Sequence, residues 1–177
     1  MKIKYFPGFR FGVTGRCALV GLFLGMATTQ ADILVDTIGG GPSGSNAKAY
    51  GNVNGNTYSA SQFNGPSGIA LDSSGNLFLA DKTNNSVRKI TTAGNTNTSV
   101  TTTYISLPAS SGPIGVAVDG TNNLYVLTQT EGRLRRYNAA NTTNSIIASN
   151  FVSPTALALD ASNNVFVTQS NGIVFKI

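Results

Sequence analysis

This sequence predicts an all-β fold made of β-propeller blades, each a four-stranded antiparallel sheet. Two observations carry that expectation. A segment of about 25 residues occurs three times, as PSGIALDSSGNLFLADKTNNSVRKI (66–90), PIGVAVDGTNNLYVLTQTEGRLRRY (113–137) and PTALALDASNNVFVTQSNGIVFKI (154–177). The copies start 47 and 41 residues apart, close to the roughly 40–45 residues of one blade built from short strands.

Each copy reads the same way. An alternating run follows the proline, with small residues at Ala70, Ala117 and Ala158, which suits crowded inner strands. A turn follows at Asp72, Asp119 or Asp160, rich in Asn, Gly and Ser, residues that pre-set turn backbone angles. The second runs, LFLA, LYVL and VFVT, are aromatic and β-branched, as strands prefer. Third strands follow at 87–90, 134–137 and 174–177, and fourth strands are expected at Thr98–Ile105 and Ser145–Ala148. After the third copy no residues remain for a fourth strand. The run Ile33–Ile38 has the right character to supply one from the other end of the chain, and 39–65, rich in Gly, Ser and Asn, reads as a long surface connection.

The first 31 residues predict an export signal. Lys2, Lys4, Arg10 and Arg16 precede an apolar stretch from Cys17 to Met26, with small residues up to Ala31. That stretch is shorter than the about 20 apolar residues a membrane helix needs. The expected organisation is therefore 1–31 signal peptide, 32–65 strand and connection, and 66–177 three blades, with the product exported to a periplasmic, secreted or surface location. The net charge of +5 belongs mostly to the leader, which holds four of twelve basic residues and none of seven acids. The remainder is near neutral and gives no electrostatic case for nucleic acid or for a membrane surface.

Residues 63–90, from Phe63-Asn-Gly-Pro66 onward, resemble an NHL repeat, a repeat of six-bladed propellers. The preceding Thr37 and glycines, with Tyr50-Gly-Asn, resemble the glycine-rich approach to such a blade. The resemblance covers roughly residues 33–177, strongest in the first copy and weaker in the third. The Asn-His pair of the family falls on Asn84-Asn85, so its histidine is absent. The resemblance implies a rigid ring presenting recognition loops. Closed rings have about four to eight blades. Three blades are thus part of a longer propeller, or half of a six-bladed ring formed by two chains, each lending its Ile33–Ile38 strand to its neighbour.

Composition restricts the chemistry. There is no histidine, and the single cysteine, Cys17, lies in the leader. Ser-His-Asp and Cys-His devices and His/Cys zinc sites are therefore excluded from the remainder. Asp72, Asp119 and Asp160 recur at equivalent turns and are expected to bond their own backbone. Propeller lactonases hold a metal with acidic side chains, and Glu131 is the only glutamate here. No catalytic residue, metal ligand or cofactor is assigned. The candidate ligand-binding positions are Lys89, Arg136 and Lys176, which align across the copies. Together with Arg88, Arg133 and Arg135 they more readily form a solvated face whose stems cover apolar neighbours. Phe78, Tyr125 and Phe166 align as packing between blades. The expected function is an exported binding or scaffold module for a protein or cell-envelope glycan. The alternative is a piece of a propeller enzyme of lactonase or lyase type.

Overall fold

Alternation with a period of two gives every strand two distinct faces, and here both faces of each sheet are apolar, so blades must stack. A computed structural model describes residues 38–40, 50–57, 60–91 and 98–177, all within one unit spanning Asp36–Ile177. The leader 1–31 lies outside the described residues, as does the proposed strand from Ile33 up to Ile38, which itself is in no strand.

The strands are β1 (Gly55–Asn56), β2 (Pro66–Leu71), β3 (Leu77–Asp81), β4 (Ser86–Thr91), β5 (Val100–Ser106), β6 (Pro113–Val118), β7 (Leu124–Thr128), β8 (Arg133–Tyr137), β9 (Asn144–Ala148), β10 (Pro154–Leu159), β11 (Val165–Gln169) and β12 (Val174–Lys176). They form three sheets ordered β1-β5-β4-β3-β2, β6-β7-β8-β9 and β10-β11-β12, with antiparallel pairing throughout. We call them blades 1, 2 and 3. The expected fourth strands are present as β5 and β9. The four-stranded expectation holds in blade 2 alone. Blade 3 has three strands among the described residues, and blade 1 gains a fifth because Gly55–Asn56 pairs with β5. Residues 50–57 and 60–63, expected as part of a surface connection, instead fold against blade 1.

Stacking is regular. Phe78, Ala80 and Val87 of blade 1 form one core with Val116, Leu124, Val126 and Tyr137 of blade 2. The opposite face of blade 2, with Tyr125, Leu127 and Leu134, forms a second core with Val165 and Val167 of blade 3. Each blade thus has a leading face toward its predecessor and a trailing face toward its successor. Leu127 and Leu134 are fully buried, each worth about 1.5–3 kcal/mol. First strands also touch. A Cβ on Gly68 would lie 2.7 Å from the Ile114 carbonyl oxygen and 2.9 Å from the Gly115 Cα, so only glycine lets blades 1 and 2 close to this distance. No helix among the described residues is long and apolar enough to cross a membrane.

Candidate functional site

The turn carboxylates are engaged as their turn chemistry predicts. In blade 1 the Ser74 and Asn76 amides donate to Asp72 Oδ1 at 2.9 and 2.8 Å, and Asn76 Nδ2 donates to Oδ2 at 2.7 Å. Asp119 repeats this with Thr121 at 2.9 Å, Asn123 N at 2.9 Å and Asn123 Nδ2 at 2.8 Å. Asp160 repeats it with Ser162 and Asn164. The residue before the final Asn needs a left-handed backbone, supplied by Gly75 (φ 79°), Asn122 (φ 62°) and Asn163 (φ 64°). Asn122 also ties adjacent turns, accepting from the Ser73 amide at 3.1 Å and donating to Ser73 Oγ at 2.9 Å.

These bonds set the acidity of the three groups. Burial pushes Asp72 and Asp119 up, but the donors, led by Asn76 and Asn123, outweigh it and hold both carboxyls below the usual range. Asp160 is held down chiefly by Asn164. The unfolded chain therefore binds more protons between the lowered folded pKa values and about 4, the unfolded value. Stability from these groups is complete above about pH 4 and is lost as pH falls through the folded values. We expect Tm to fall in acid and that fall to be smaller in Asp119→Asn, read by thermal unfolding at a series of pH values.

Beside the turns lies a second repeated feature. Phe78 faces Lys89 across the strands, Tyr125 faces Arg136, and Phe166 faces Lys176. The Lys89 ammonium sits 5.6 Å from the ring centroids of both Phe78 and Tyr104, and Lys176 sits 5.8 Å from that of Phe166. Cation–π attraction of this kind is worth about 0.5–1 kcal/mol at exposed sites. The candidate positions Lys89, Arg136 and Lys176 thus occupy one level of the stack, at its turn end, each opposite an aromatic residue of the neighbouring strand. Arg136 and Lys176 are exposed and Lys89 is half-buried. Phe78 and Tyr125 pack between blades as expected, whereas Phe166 lies half-buried on the outward face of blade 3.

Arg88 departs from the solvated face expected for third-strand cations. It is fully buried and pairs with the equally buried Asp81, Nη1 to Oδ2 3.1 Å. Its guanidinium also donates to Asn52 Oδ1, Gln62 O, Val53 O and Asn54 Oδ1, at 2.6–3.2 Å, and lies 5.4 Å from the Phe63 ring centroid. Residues 52–54 and 62–63 close over it. Blade 2 keeps the arginine and moves the acid. Thr128 stands at the Asp81 position, and Glu131 in the turn takes Arg135 at 2.9 Å. Blade 3 drops the pair. Its turn is one residue shorter, Gln169 takes the acid position, and Phe175 replaces the arginine and stacks edge-on against Phe151 at 5.4 Å. Asp81 and Gln169 keep one task, since each accepts from a backbone amide just before its blade's proline, Asn64 and Val152 respectively. Sequence alignment of the copies contained this exchange, but alternation assigns a face without saying what covers it.

Every carboxylate among the described residues is therefore held by its own turn or by an arginine. No group of three or more His, Cys, Asp or Glu residues that could hold a metal occurs among the described residues. The outward face of blade 1 contains an apolar cavity of about 170 Å³ beneath Ile38 and Phe63, lined by Ile69, Leu77, Leu79 and Ile90.

Residues 63–90, blade 1 with its preceding Phe63-Asn-Gly, match the NHL repeat family. The chain carries an NHL repeat. Solved structures similar to this NHL-repeat chain are six-bladed propeller-like proteins. One comes from a nidogen/laminin complex, with TM-score 0.52 and 19% identity, covering 60% of this chain and 40% of that one. Another is regucalcin from Agrobacterium tumefaciens, described as a calcium-binding protein, with TM-score 0.51 and 18% identity over 63% of this chain and 45% of that one. A third is virginiamycin B lyase from Staphylococcus aureus, with TM-score 0.48 and 22% identity over 63% and 40%. At these identities the likeness is one of fold. The NHL-repeat chain spans less than half the length of the structures it resembles. Comparison with curated protein sequences gives no match.

Proposed function

We propose that this NHL-repeat chain is an exported binding or scaffold module that recognises a protein through the turn end of its blades. The observation that carries this reading is that the carboxylates among the described residues already serve the fold. Asp72, Asp119 and Asp160 are consumed by turn donors, and Asp81 and Glu131 by arginines. What the turn end repeats instead is a cation opposite an aromatic residue on the neighbouring strand, with Arg136 and Lys176 exposed on adjacent blades. Arginine and aromatic side chains are the groups that carry most binding energy at protein interfaces. The similarity to a propeller held in the nidogen/laminin complex supports a protein partner over a glycan.

The test is site-specific photocrosslinking in the exporting cell, with the probe at the exposed turn residues Thr121 and Ser162. We expect a discrete protein adduct, reduced several-fold by Arg136→Ala combined with Lys176→Ala. The same probe at Thr83 and Ser170, at the other end of the blades, should give no such adduct. An adduct indifferent to the double substitution, or confined to the opposite end, overturns the reading.

A further inference from the structure

An asparagine followed by glycine is open to attack on its side chain by the next main-chain nitrogen, because glycine puts no Cβ in the way. The sequence holds three such pairs, Asn54-Gly55, Asn64-Gly65 and Asn171-Gly172, and the fold treats them differently. At the first, Asn54 Oδ1 is anchored by Arg88 Nη2 at 2.6 Å and by the Thr103 hydroxyl at 3.2 Å, and Gly55 is paired with Thr101. At the third, the Gly172 amide donates to the Gln169 carbonyl at 3.1 Å, and Asn171 Oδ1 accepts from the Ile173 amide at 3.3 Å. At the second, neither the Asn64 side chain nor the amide of the exposed Gly65 has a hydrogen-bond partner among the described residues. The main chain around it is nonetheless fixed. The Asn64 amide donates to Asp81 Oδ1 at 2.7 Å, and the Asn64 carbonyl accepts from the Thr83 amide at 3.0 Å. That second bond makes the Gly65 N–H easier to deprotonate, since a donor on the peptide oxygen stabilises the anion.

We propose that Asn64 is a deamidation site and that its product loosens the cover over Arg88. A solvent base takes the Gly65 amide proton, and the nitrogen attacks Asn64 Cγ. The new N–C bond replaces the Cγ–Nδ2 bond, and Nδ2 takes up a proton and leaves as ammonia. Water then opens the five-membered imide at either carbonyl. One opening gives aspartate, and the other gives isoaspartate with the main chain one carbon longer. No oxidation or reduction occurs, and water is the co-reactant. Either product brings a second carboxylate toward the fully buried Asp81, whose Oδ1 takes the Asn64 amide. Isoaspartate also lengthens the chain between Phe63, 5.4 Å from the Arg88 guanidinium, and Pro66, the first residue of β2. Both sides of the insertion are tied, since Gln62 O accepts from Arg88 at 3.2 Å and Pro66 pairs with Asp81. The extra atom therefore works against the contacts that bury Arg88.

The experiment ages the purified chain in mildly alkaline buffer, both native and unfolded in urea. Peptide mass spectrometry follows each of the three pairs, with isoaspartate separated from aspartate. In urea the three should convert at similar rates, because local sequence alone acts there. In the native chain, position 64 should stay close to its urea rate, while positions 54 and 171 convert several-fold more slowly. Chymotryptic cleavage after Phe63 should quicken several-fold in the aged native chain. It should stay unchanged in Asn64→Gln aged alongside, whose longer side chain closes the ring poorly. Native protection of position 64 equal to that of 54 and 171 overturns the proposal. So does a native chain in which position 171 converts first, or conversion at 64 that leaves cleavage after Phe63 unchanged.

Discussion

Replacing Arg88 with methionine is expected to destabilise the chain by about 3–5 kcal/mol, the range for removing one partner of a buried ion pair. The side chains of Arg88 and Asp81 are both fully inaccessible. Without the guanidinium, Asp81 keeps only the Asn64 amide and Asn84 Nδ2 as donors. The Gln62 carbonyl and the Asn52 side chain lose their donor as well, while the Val53 carbonyl keeps the Gln62 amide and Asn54 Oδ1 keeps the Thr103 hydroxyl. Lysine should not rescue, because one ammonium cannot reproduce a planar fork that reaches both strand and covering segment. Adding Asp81→Leu to Arg88→Met should recover part of the loss, since the stranded charge goes with it. The matching change in blade 2, Arg135→Met, is expected to cost about 1 kcal/mol or less, because Glu131 is 19% exposed and keeps Arg133 within 3.7 Å. Urea denaturation of the four variants measures these differences. Equal losses for Arg88→Met and Arg135→Met would contradict the account.

The second large effect belongs to Gly68. Alanine there sets a Cβ against the Ile114 carbonyl and the Gly115 Cα, backbone atoms that can yield only if blade 2 moves as a whole. The expected cost is about 2–3 kcal/mol, the upper part of the range for overpacking. Gly115→Ala meets mainly the end of the Leu157 side chain, which can turn aside, and should cost less than about 1 kcal/mol. Ala156→Gly, on the open face of blade 3, should change stability little. The order Gly68 over Gly115 over Ala156 in denaturation midpoints is the signature of tightening toward blade 1. A reversed order would mean that the stacking has been misread.

How far the sequence discloses this structure depends on which forces its pattern records. Period-two alternation and turn chemistry are local, and they located all three copies, the fourth strands at β5 and β9, and the Asp turns. Aligning the copies brought Lys89, Arg136 and Lys176 into one set and Phe78, Tyr125 and Phe166 into another, but the register that sets the two opposite each other is a property of the structure. Arg88 was misplaced because its burial depends on residues 50–63. The acceptors there are Asn side chains and main-chain carbonyls in a Gly- and Asn-rich stretch, a composition that also suits an open connection. Nothing local marks Asn52 or Asn54 as a guanidinium partner. The exchange of Asp81 for Glu131, and the shorter turn in blade 3, were visible as letters. Their meaning required knowing that Arg88, Arg135 and Phe175 share one face.

The central claim is that the recurrent turn carboxylates, Asp72, Asp119 and Asp160, are structural and bind no cation. Thermal unfolding with and without millimolar calcium tests it most directly. A cation site with a dissociation constant a hundredfold below the calcium concentration would add about 2.7 kcal/mol to stability, a rise of several degrees in Tm for a domain of this size. The account predicts no rise beyond that given by the same ionic strength of sodium chloride. A calcium-specific rise that disappears in Asp72→Asn, Asp119→Asn or Asp160→Asn would contradict it.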